Sequence, residues 1–238
     1  MRTKVARAVF LAAGTGSRLR PITNTCPKPL VRVNGRRIID TLLDAVLMAG
    51  IEEIHIVCGY LAESFDMLHK KYPMIHLIGN PHFQDANNIS SILAAQDYLE
   101  NAYILESDLL LQNPSLIRAE EERSNYLAIP VSQTDDWAFR TNDAGKIVSL
   151  LPHGGRAVDK MVGISWWSAA DAKRLVTCTK KLWRAGKTAL YWDEVALDVF
   201  HTDFSIYVRH CNEADVTEID TMAELAALDA GYAPMRKD

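Results

Sequence analysis

A glycine-containing loop directly after a buried N-terminal strand is the feature that most constrains this chain. The apolar run from Val5 to Leu11 is typical of a buried strand. Gly14 and Gly16 follow it, and glycines allow the backbone to turn tightly and to approach a ligand closely. Three basic residues come next along the chain: Arg18, Arg20 and Lys28. Since backbone N–H groups of such a loop can face an anion, the segment is suited to a triphosphate.

The loop matches neither of two common phosphate-binding motifs. It lacks G-x-x-x-x-G-K-S/T and has no third glycine to complete G-x-G-x-x-G. The whole string L-A-A-G-T-G-S-R-L-R-P-I-T, followed by P-K-P-L, instead resembles the signature of nucleotidyltransferases, which join a nucleoside triphosphate to a phosphate monoester and release pyrophosphate. The alternative interpretation is a surface turn with scattered cations. On the first interpretation the nucleotide-binding residues are Leu11, Ala12, Ala13, Gly14, Thr15, Gly16 and Ser17, and the catalytic residues are Arg18 and Lys28.

Composition places the chain among ordinary globular proteins and excludes several classes. It has 238 residues, 48% of them apolar and 24% charged, with a net charge of −4. Acidic and basic residues are mixed, which argues against a nucleic-acid groove, and no apolar run approaches the ~18 residues of a membrane span. The cysteines are far apart and form no C-x-x-C pair: Cys26, Cys58, Cys178 and Cys211. Without a secretory leader they are expected to be reduced thiols of a cytoplasmic protein.

The first half alternates predicted strands and helices, which favours a parallel sheet with right-handed crossovers. Strands are predicted at Val5–Leu11, Glu53–Cys58, Ile75–Ile78 and Tyr103–Glu106, and helices at Arg36–Ala49, Leu61–Lys71 and Asn88–Leu99. Ligands of such sheets lie beyond the carboxyl ends of the strands. The glycine loop and Asp108 both follow strands, so they can share one site.

The second half is less regular. Strands are predicted at Asn125–Gln133, Lys146–Leu151, Lys160–Trp167 and Ser205–His210, and helices at Ala169–Ala185, Tyr191–Phe200 and Thr221–Ala230. We interpret residues 1–238 as one α/β domain, a Rossmann-like, mostly parallel sheet flanked by helices, with an acceptor-binding insertion at about 125–200. The residues after Gly231 are expected to form a frayed tail.

Two acidic positions far apart in sequence are candidate metal ligands. Asp108 follows a predicted strand, and Asp220 closes the segment Glu218-Ile219-Asp220. Transfer of a nucleotidyl group onto a phosphate needs Mg²⁺, because two anions must approach each other, and Mg²⁺ prefers one or two carboxylates with phosphate oxygens and water. The alternatives remain open: Asp108 can be a helix N-cap or turn residue, Asp220 can be the N-cap of the last helix, and Glu218 can be the ligand instead.

A pair of amides and several aromatic residues are candidates for substrate recognition. Asn87, and with it Ser91, can contact the nucleotide base, although Asn87 and Asn88 can equally form a turn and cap a helix. Trp137 and Tyr191, with Asp193, can form a cage for an ammonium group; the alternative is that these aromatic residues fill the core. Trp166 and Trp167 would point to opposite faces of their strand, so at most one can line a site. Three basic residues can meet an acceptor phosphate: Lys160, Arg156 and His153.

The loop together with Asp108 and Asp220 resembles the sugar-phosphate nucleotidyltransferase superfamily over nearly the whole chain, and the chain is most similar within it to bacterial CTP:phosphocholine cytidylyltransferases. The resembling segments are the loop, Gly59-Tyr60-Leu61, Asn87-Asn88, Asp136-Trp137, Val162-Gly163-Ile164-Ser165-Trp166-Trp167, Leu190-Tyr191-Trp192-Asp193 and Glu218-Ile219-Asp220. The resemblance implies CTP phosphates on the loop, Lys28 at the reacting centre, Mg²⁺ on Asp108 and the Glu218/Asp220 pair, and a choline head at Trp137, Tyr191 and Asp193.

One segment departs from that pattern. Glu106-Ser107-Asp108-Leu109 stands where the family has an acidic D-A-D-like string, and with Met161-Val162-Gly163-Ile164-Ser165 it is similar to cytidylyltransferases that activate 2-aminoethylphosphonate. The sequence therefore predicts CTP, Mg²⁺ and a small amine bearing a phosphate or phosphonate. Phosphocholine is the favoured acceptor and 2-aminoethylphosphonate the alternative, followed by a sugar 1-phosphate or a non-catalytic nucleotide-sensing role. A homodimer is possible, and no membrane or nucleic-acid partner is expected.

Overall fold

Residues 2–233, which the computed structural model describes, contain fifteen strands and five α-helices. In chain order the strands are β1 Thr3–Lys4, β2 Arg7–Ala12, β3 Arg32–Val33, β4 Arg36–Arg37, β5 Glu53–Cys58, β6 Ile75–Gly79, β7 Ala102–Glu106, β8 Leu109–Leu111, β9 Glu120–Glu121, β10 Asn125–Thr134, β11 Ala138–Thr141, β12 Ile147–Leu151, β13 Gly155–Trp167, β14 Tyr207–His210 and β15 Val216–Glu218. The helices are α1 Ile38–Met48, α2 Ile89–Ala94, α3 Ala169–Arg184, α4 Trp192–Glu194 and α5 Met222–Leu228.

Nine of the strands form one sheet. Its main path runs β12-β11-β13-β7-β2-β5-β6, and β10 pairs with both β13 and β14. The four strands β7, β2, β5 and β6 are parallel to one another, whereas β13 joins β7 antiparallel and begins the second half. The α/β class and the mostly parallel central sheet predicted from the sequence are therefore confirmed.

A short antiparallel pair, β8 with β15, determines where the acidic residues lie. Leu109 pairs with Glu218 across it, and the Ile219 amide donates to the Asp108 carbonyl at 3.2 Å. This ladder holds Asp220 beside the end of β7 although the two segments are far apart in sequence. The other short ladders join β1 to β9 and β3 to β4.

The core occupies both faces of the sheet. Trp166 and Trp167, consecutive on β13, are both fully buried but belong to different apolar clusters, one packed with α1 and the other with α2 and α3. This is the alternation expected of a strand. Burial in the core also means that neither tryptophan lines the pocket described below.

Three predicted helices are shorter or of another type. Residues 62–70 form a 3₁₀ segment, whose two buried side chains, Phe65 and Leu68, have the spacing of three that suits that helix. The helix predicted at Asn88–Leu99 ends at Ala94 and continues as a 3₁₀ turn, Gln96–Tyr98. The helix predicted from Tyr191 has only one α-turn, α4, and then a π-turn at Val195–Val199.

Within residues 2–233 none of the helices combines the length and the apolar character needed to cross a membrane. Of the tail predicted after Gly231, residues 234–238 lie outside the described residues.

Candidate active site

A pocket of about 720 Å³ opens at the carboxyl ends of β2 and β7. Its position is the one that parallel sheets favour for ligands, and its volume is within the range of about 300–1,000 Å³ typical of small-molecule sites. Its lining combines the predicted loop, the acidic positions and the aromatic pair: Leu11, Ala12, Ala13, Gly14, Thr15, Gly16, Ser17, Arg18, Lys28, Pro29, Asn88, Ser91, Glu106, Ser107, Asp108, Asp136, Trp137, Met161, Gly163, Tyr191, Asp193, Glu218 and Asp220.

The glycine loop has a conformation that requires glycine at one position. Gly16 has φ +59°, in the left-handed region, and a Cβ there would lie 2.9 Å from Cβ of Lys28. Thr23 fixes this turn by donating from Oγ1 to the Gly16 carbonyl at 2.9 Å, and Tyr60 ties the same loop by donating from its hydroxyl to the Thr23 carbonyl at 2.8 Å. Gly14 has open space around its missing side chain. The turn therefore sets the position of Lys28.

Lys28 lies between two carboxylates. Its Nζ is 2.8 Å from Asp108 and 2.6 Å from Asp220, and the residue is 8% exposed. Burial lowers the pKa of Lys28, but Asp108 and Asp220 raise it, and the net shift is upward, so the side chain stays charged. Arg18 approaches Asp220 from the solvent side at 2.9 Å.

Glu106, Asp108 and Glu218 form a carboxylate cluster in which one oxygen from each residue lies within 4.8 Å of the other two. Burial, and then the charge of Asp108, raises the pKa of Glu106 well above its usual value, and burial followed by Asp108 and Asp220 raises the pKa of Glu218 to about 8. Within residues 2–233, Asp108 Oδ1 is buried without a hydrogen-bond partner. These carboxylates lie close together, and nearby positive charge does not fully offset them. Such a set of oxygen donors fits Mg²⁺.

Neither Asp108 nor Asp220 serves as a helix N-cap in the described part of the chain. Thr221 is the N-cap of α5: its Oγ1 accepts from the Glu224 amide at 3.2 Å, and Glu224 accepts from the amides of Thr221 and Asp220, both at 2.8 Å. The Asp220 carboxylate is thus left to Lys28 and Arg18 rather than used as a cap. Asp108 faces Lys28 and does not begin a helix, but it does lie in the turn between β7 and β8, which is the other half of its alternative interpretation.

The same pocket is also lined by two aromatic side chains and a buried acid. Trp137 and Tyr191 meet with ring centroids 5.1 Å apart at 67°, and Tyr191 is 46% exposed. Asp193 is 2% exposed and accepts a hydrogen bond of 2.7 Å from the Tyr126 hydroxyl. Burial raises the pKa of Asp193 to about 7, although the bond from Tyr126 lowers it. An aromatic corner beside a carboxylate suits a small cation.

Among the described residues, four of the predicted site residues lie outside the pocket lining: Asn87, His153, Arg156 and Lys160. Asn87 bonds to the backbone of another segment, with its Nδ2 3.1 Å from the Ala189 carbonyl. Lys160 lies behind Asp136, at 3.7 Å. Asn88 does not cap α2 through its side chain but accepts from the Trp192 amide at 2.8 Å. Ser91 does line the pocket, where its hydroxyl accepts from Asn80 at 3.1 Å.

Sequence reasoning assigned no role to Glu106 and Gly163, which the structure places in the pocket. They face each other from β7 and β13, and a Cβ on Gly163 would lie 2.7–2.8 Å from the Glu106 side chain. Glu106 ends a strand two positions before Asp108, and that spacing puts both on one side of an extended chain, which is the signal that could have identified it. The position of Gly163 in the pocket depends on the pairing of β13 with β7, and the sequence has no local signal for that pairing.

The chain is similar to known nucleotidyltransferases over most of its length. Residues 7–136 match the nucleotidyl transferase family. The chain is 40% identical over 230 residues to a 2-aminoethylphosphonate cytidylyltransferase from Lancefieldella rimae, covering 94% of this chain and 92% of that protein. It is 31% identical over 225 residues to a choline-phosphate cytidylyltransferase from Streptococcus pneumoniae, covering 94% and 96%. The solved CTP:phosphocholine cytidylyltransferase from the same species superposes with a TM-score of 0.88 at 30% identity, over 96% of this chain and 99% of that one.

Proposed function

The chain belongs to the nucleotidyl transferase family, and on that basis we propose that it transfers CMP from CTP to 2-aminoethylphosphonate and releases pyrophosphate. The observation that carries this proposal is the single pocket that joins a triphosphate-type glycine loop to an ammonium-type corner at Trp137, Tyr191 and Asp193. Relatives of both cytidylyltransferase kinds named above align over nearly the whole chain.

In the proposed reaction a phosphonate oxygen attacks the α-phosphorus of CTP. A new P–O bond forms there, the bond from the α-phosphorus to the bridging oxygen breaks, and pyrophosphate leaves with that electron pair. The loop backbone and Arg18 bind the β- and γ-phosphates, while Lys28 stabilises the negative charge that develops on the α-phosphate. Such catalysis rests on positioning and charge stabilisation, with no covalent enzyme intermediate.

Glu106, Asp108 and Glu218, with Asp220 beside them, would hold Mg²⁺, which would supply positive charge where the two substrates' phosphoryl oxygens approach each other. The sequence-based ligand set was Asp108, Asp220 and Glu218. Pairing of Asp220 with Lys28 and Arg18 favours Glu106 in its place.

The choice of acceptor rests on Glu106. Its carboxylate faces the pocket, and within residues 2–233 it has neither an ion-pair partner nor a hydrogen-bond donor. A primary ammonium brings three N–H donors, so it can pair with the one Glu106 oxygen that the metal set does not use and with the Asp193 oxygen that Tyr126 does not occupy. A trimethylammonium has no N–H and would leave these acceptors desolvated and unpaired, which is costly. The 40% identity to a 2-aminoethylphosphonate enzyme supports the same choice.

Phosphocholine, the acceptor favoured from the sequence, is the second candidate. The observation in its favour is the corner formed by Trp137 and Tyr191, because two rings at a steep angle present their faces to a quaternary ammonium.

Pyrophosphate release with CTP and Mg²⁺ tests the proposal when four acceptors are compared at equal concentration: 2-aminoethylphosphonate, phosphoethanolamine, phosphocholine and 2-(trimethylammonio)ethylphosphonate. The set separates the effect of N-methylation from that of the P–C bond. We expect both primary amines to exceed their trimethylated partners by about 10²-fold or more in kcat/KM. The reverse order would assign the enzyme to phosphocholine, and no release with any of them would remove the cytidylyltransferase function.

A cytoplasmic location and a homodimer also stay predictions. Sedimentation analysis of the full chain decides the second, since a monomer at micromolar concentration would exclude it.

A further inference from the structure

The segment 188–193 carries two acceptor-side residues into the pocket but belongs to no strand. It follows α3 and a turn at Gly186, where φ is +73°. Tyr191 and Asp193 both line the pocket, and Trp192 between them packs into the core. Backbone that lacks sheet pairing must be held by other hydrogen bonds if its side chains are to stay in register.

Asn87 and Asn88 supply those bonds. The Asn87 amide donates to the Thr188 carbonyl at 2.9 Å, and its side-chain Nδ2 donates to the Ala189 carbonyl at 3.1 Å. The Trp192 amide donates to Asn88 Oδ1 at 2.8 Å. Three bonds from two consecutive residues thus hold the stretch from 188 to 192.

The two asparagines are themselves fixed to the nucleotide side of the pocket. The Asn88 amide donates to Asn87 Oδ1 at 2.8 Å, and both residues directly precede α2, which carries Ser91 into the pocket. Asn80 anchors the start of α2 by donating to the hydroxyls of Ser90 and Ser91. A displacement of α2 is therefore transmitted to the acceptor segment through Asn87 and Asn88.

We propose that Asn87 and Asn88 are positioning residues that set Tyr191 and Asp193 relative to the bound nucleotide. The inference rests on the proposed function in that Tyr191 and Asp193 contact the acceptor. Because Trp192 lies between them, a shift of its amide moves both side chains, and misplacement of reacting groups by about 1 Å can cost about 10²-fold in rate.

The directions of these hydrogen bonds predict that replacing asparagine with aspartate removes the bond at position 87 but keeps it at position 88. An amide N–H can only donate, so the atom facing Trp192 is the Asn88 oxygen, which Asn88→Asp retains. The atom of Asn87 facing Ala189 must donate to a carbonyl, and Asn87→Asp removes that donor. The matched control is Asn142→Ala: Asn142 is exposed, accepts from two amides in the β11–β12 turn and does not line the pocket.

The experiment measures KM for 2-aminoethylphosphonate and for CTP, together with hydrogen exchange at the Trp192 amide. Asn87→Ala, Asn88→Ala and Asn87→Asp should raise the acceptor KM about ten- to thirtyfold, with the CTP KM and the Asn142→Ala control within about twofold of wild type. Exchange at Trp192 should be faster in Asn88→Ala and close to wild type in Asn88→Asp.

An acceptor KM within about twofold of wild type in both alanine variants would overturn the inference, as would a CTP KM that rises equally, because the asparagines would then contact the nucleotide. Unchanged exchange at Trp192 in Asn88→Ala would overturn it as well. If wild-type protein uses none of the acceptors, the proposed function fails, whereas the exchange measurement still decides whether Asn88 holds the segment.

Discussion

The Lys28 ammonium pairs with both Asp108 and Asp220, in a position where a lysine is also suited to stabilise a reacting phosphate. Its distances of 2.8 and 2.6 Å to the two carboxylates show that the same cation is shared between two chain segments. A compact, buried and fully charged amine can stabilise charge at one point, whereas Arg18, with its side chain 68% exposed, is placed to bind the outer phosphates.

Lys28→Ala should lower kcat by about 10²–10³-fold, because one contact that stabilises charge in the transition state is lost. CTP binding should weaken much less, since the loop backbone and Arg18 remain. Steady-state pyrophosphate release and calorimetric titration with CTP separate the two effects. Arg20→Ala is the control, because Arg20 is an exposed loop cation that does not line the pocket. Near-normal turnover in Lys28→Ala would remove Lys28 from the mechanism.

The buried Asp193 carboxyl should make acceptor binding depend on pH. Burial raises its pKa to about 7, with Tyr126 lowering it and the charge of Glu194 raising it, so below that pH the group is neutral and must lose a proton to pair with an ammonium. The acceptor KM should therefore rise as pH falls below about 7, by up to about tenfold per unit, and be level above it. In Asp193→Asn the acceptor KM should be high at every pH. The ratio of the wild-type KM to the Asp193→Asn KM at each pH cancels the effect of ionisation of the phosphonate itself. The same pH dependence of the acceptor KM in wild type and in Asp193→Asn would contradict a role of the Asp193 carboxylate in binding the ammonium.

At the scale of an element, two glycines of the loop allow a matched comparison: Gly16→Ala tests the turn conformation, and Gly14→Ala is its control. A side chain at Gly16 would adopt φ +59° and approach Lys28 and Thr23 at 2.9 and 3.1 Å, while at Gly14 it would meet nothing within 4 Å. Gly16→Ala should lower the free energy of unfolding by about 1–2 kcal/mol and reduce kcat by displacing Lys28. Gly14→Ala should change unfolding by less than about 0.5 kcal/mol. Urea unfolding of both variants checks this, and equal losses would mean that the turn conformation is not what stabilises the loop.

The elements that could be predicted from the sequence are those with a local signal. An apolar run followed by turn residues located β2, β5 and β7 to within two residues, and the carboxyl ends of β2 and β7 located the pocket. The type of a helix was harder to predict from the sequence. Residues 62–70 contain Ser, Asp, Phe and His, which are only moderate α-helix formers. The packing of two buried side chains in this segment favours a 3₁₀ helix instead.

The contacts that complete the site come from pairing across long stretches of chain. Lys28 and Asp220 are 192 positions apart and meet because β15 pairs with β8. Glu106 meets Gly163 because β13 lies antiparallel to β7, and Asn88 meets Trp192 because a loop returns to α2. Most residues of the pocket lining belong to motifs that the sequence already singled out, but only the pairing of elements shows which of them touch.

At the scale of the whole molecule, the charge of the pocket conflicts with its proposed ligand. Among the residues that the structure describes, two cations and six carboxylates line it: Arg18, Lys28, Glu106, Asp108, Asp136, Asp193, Glu218 and Asp220. Both cations already pair with Asp108 or Asp220. A triphosphate entering such a pocket is repelled unless positive charge enters with it.

CTP affinity should therefore depend steeply on a divalent cation. In calorimetric titrations above about pH 8, where Glu218 is ionised, CTP should bind at least about tenfold more weakly in EDTA than in Mg²⁺, because the close carboxylates would then face the phosphates uncompensated. Mg²⁺ alone should raise Tm, since binding to the folded state stabilises it. Asp108→Asn should diminish both effects, whereas Asp159→Asn, an acid bonded to Thr141 and His210 away from the pocket lining, should leave both intact. Equal CTP affinity with and without the metal would show that Arg18, Lys28 and the loop amides suffice to offset the carboxylates of the pocket, and it would contradict a role of Glu106, Asp108 and Glu218 in holding a metal for the nucleotide.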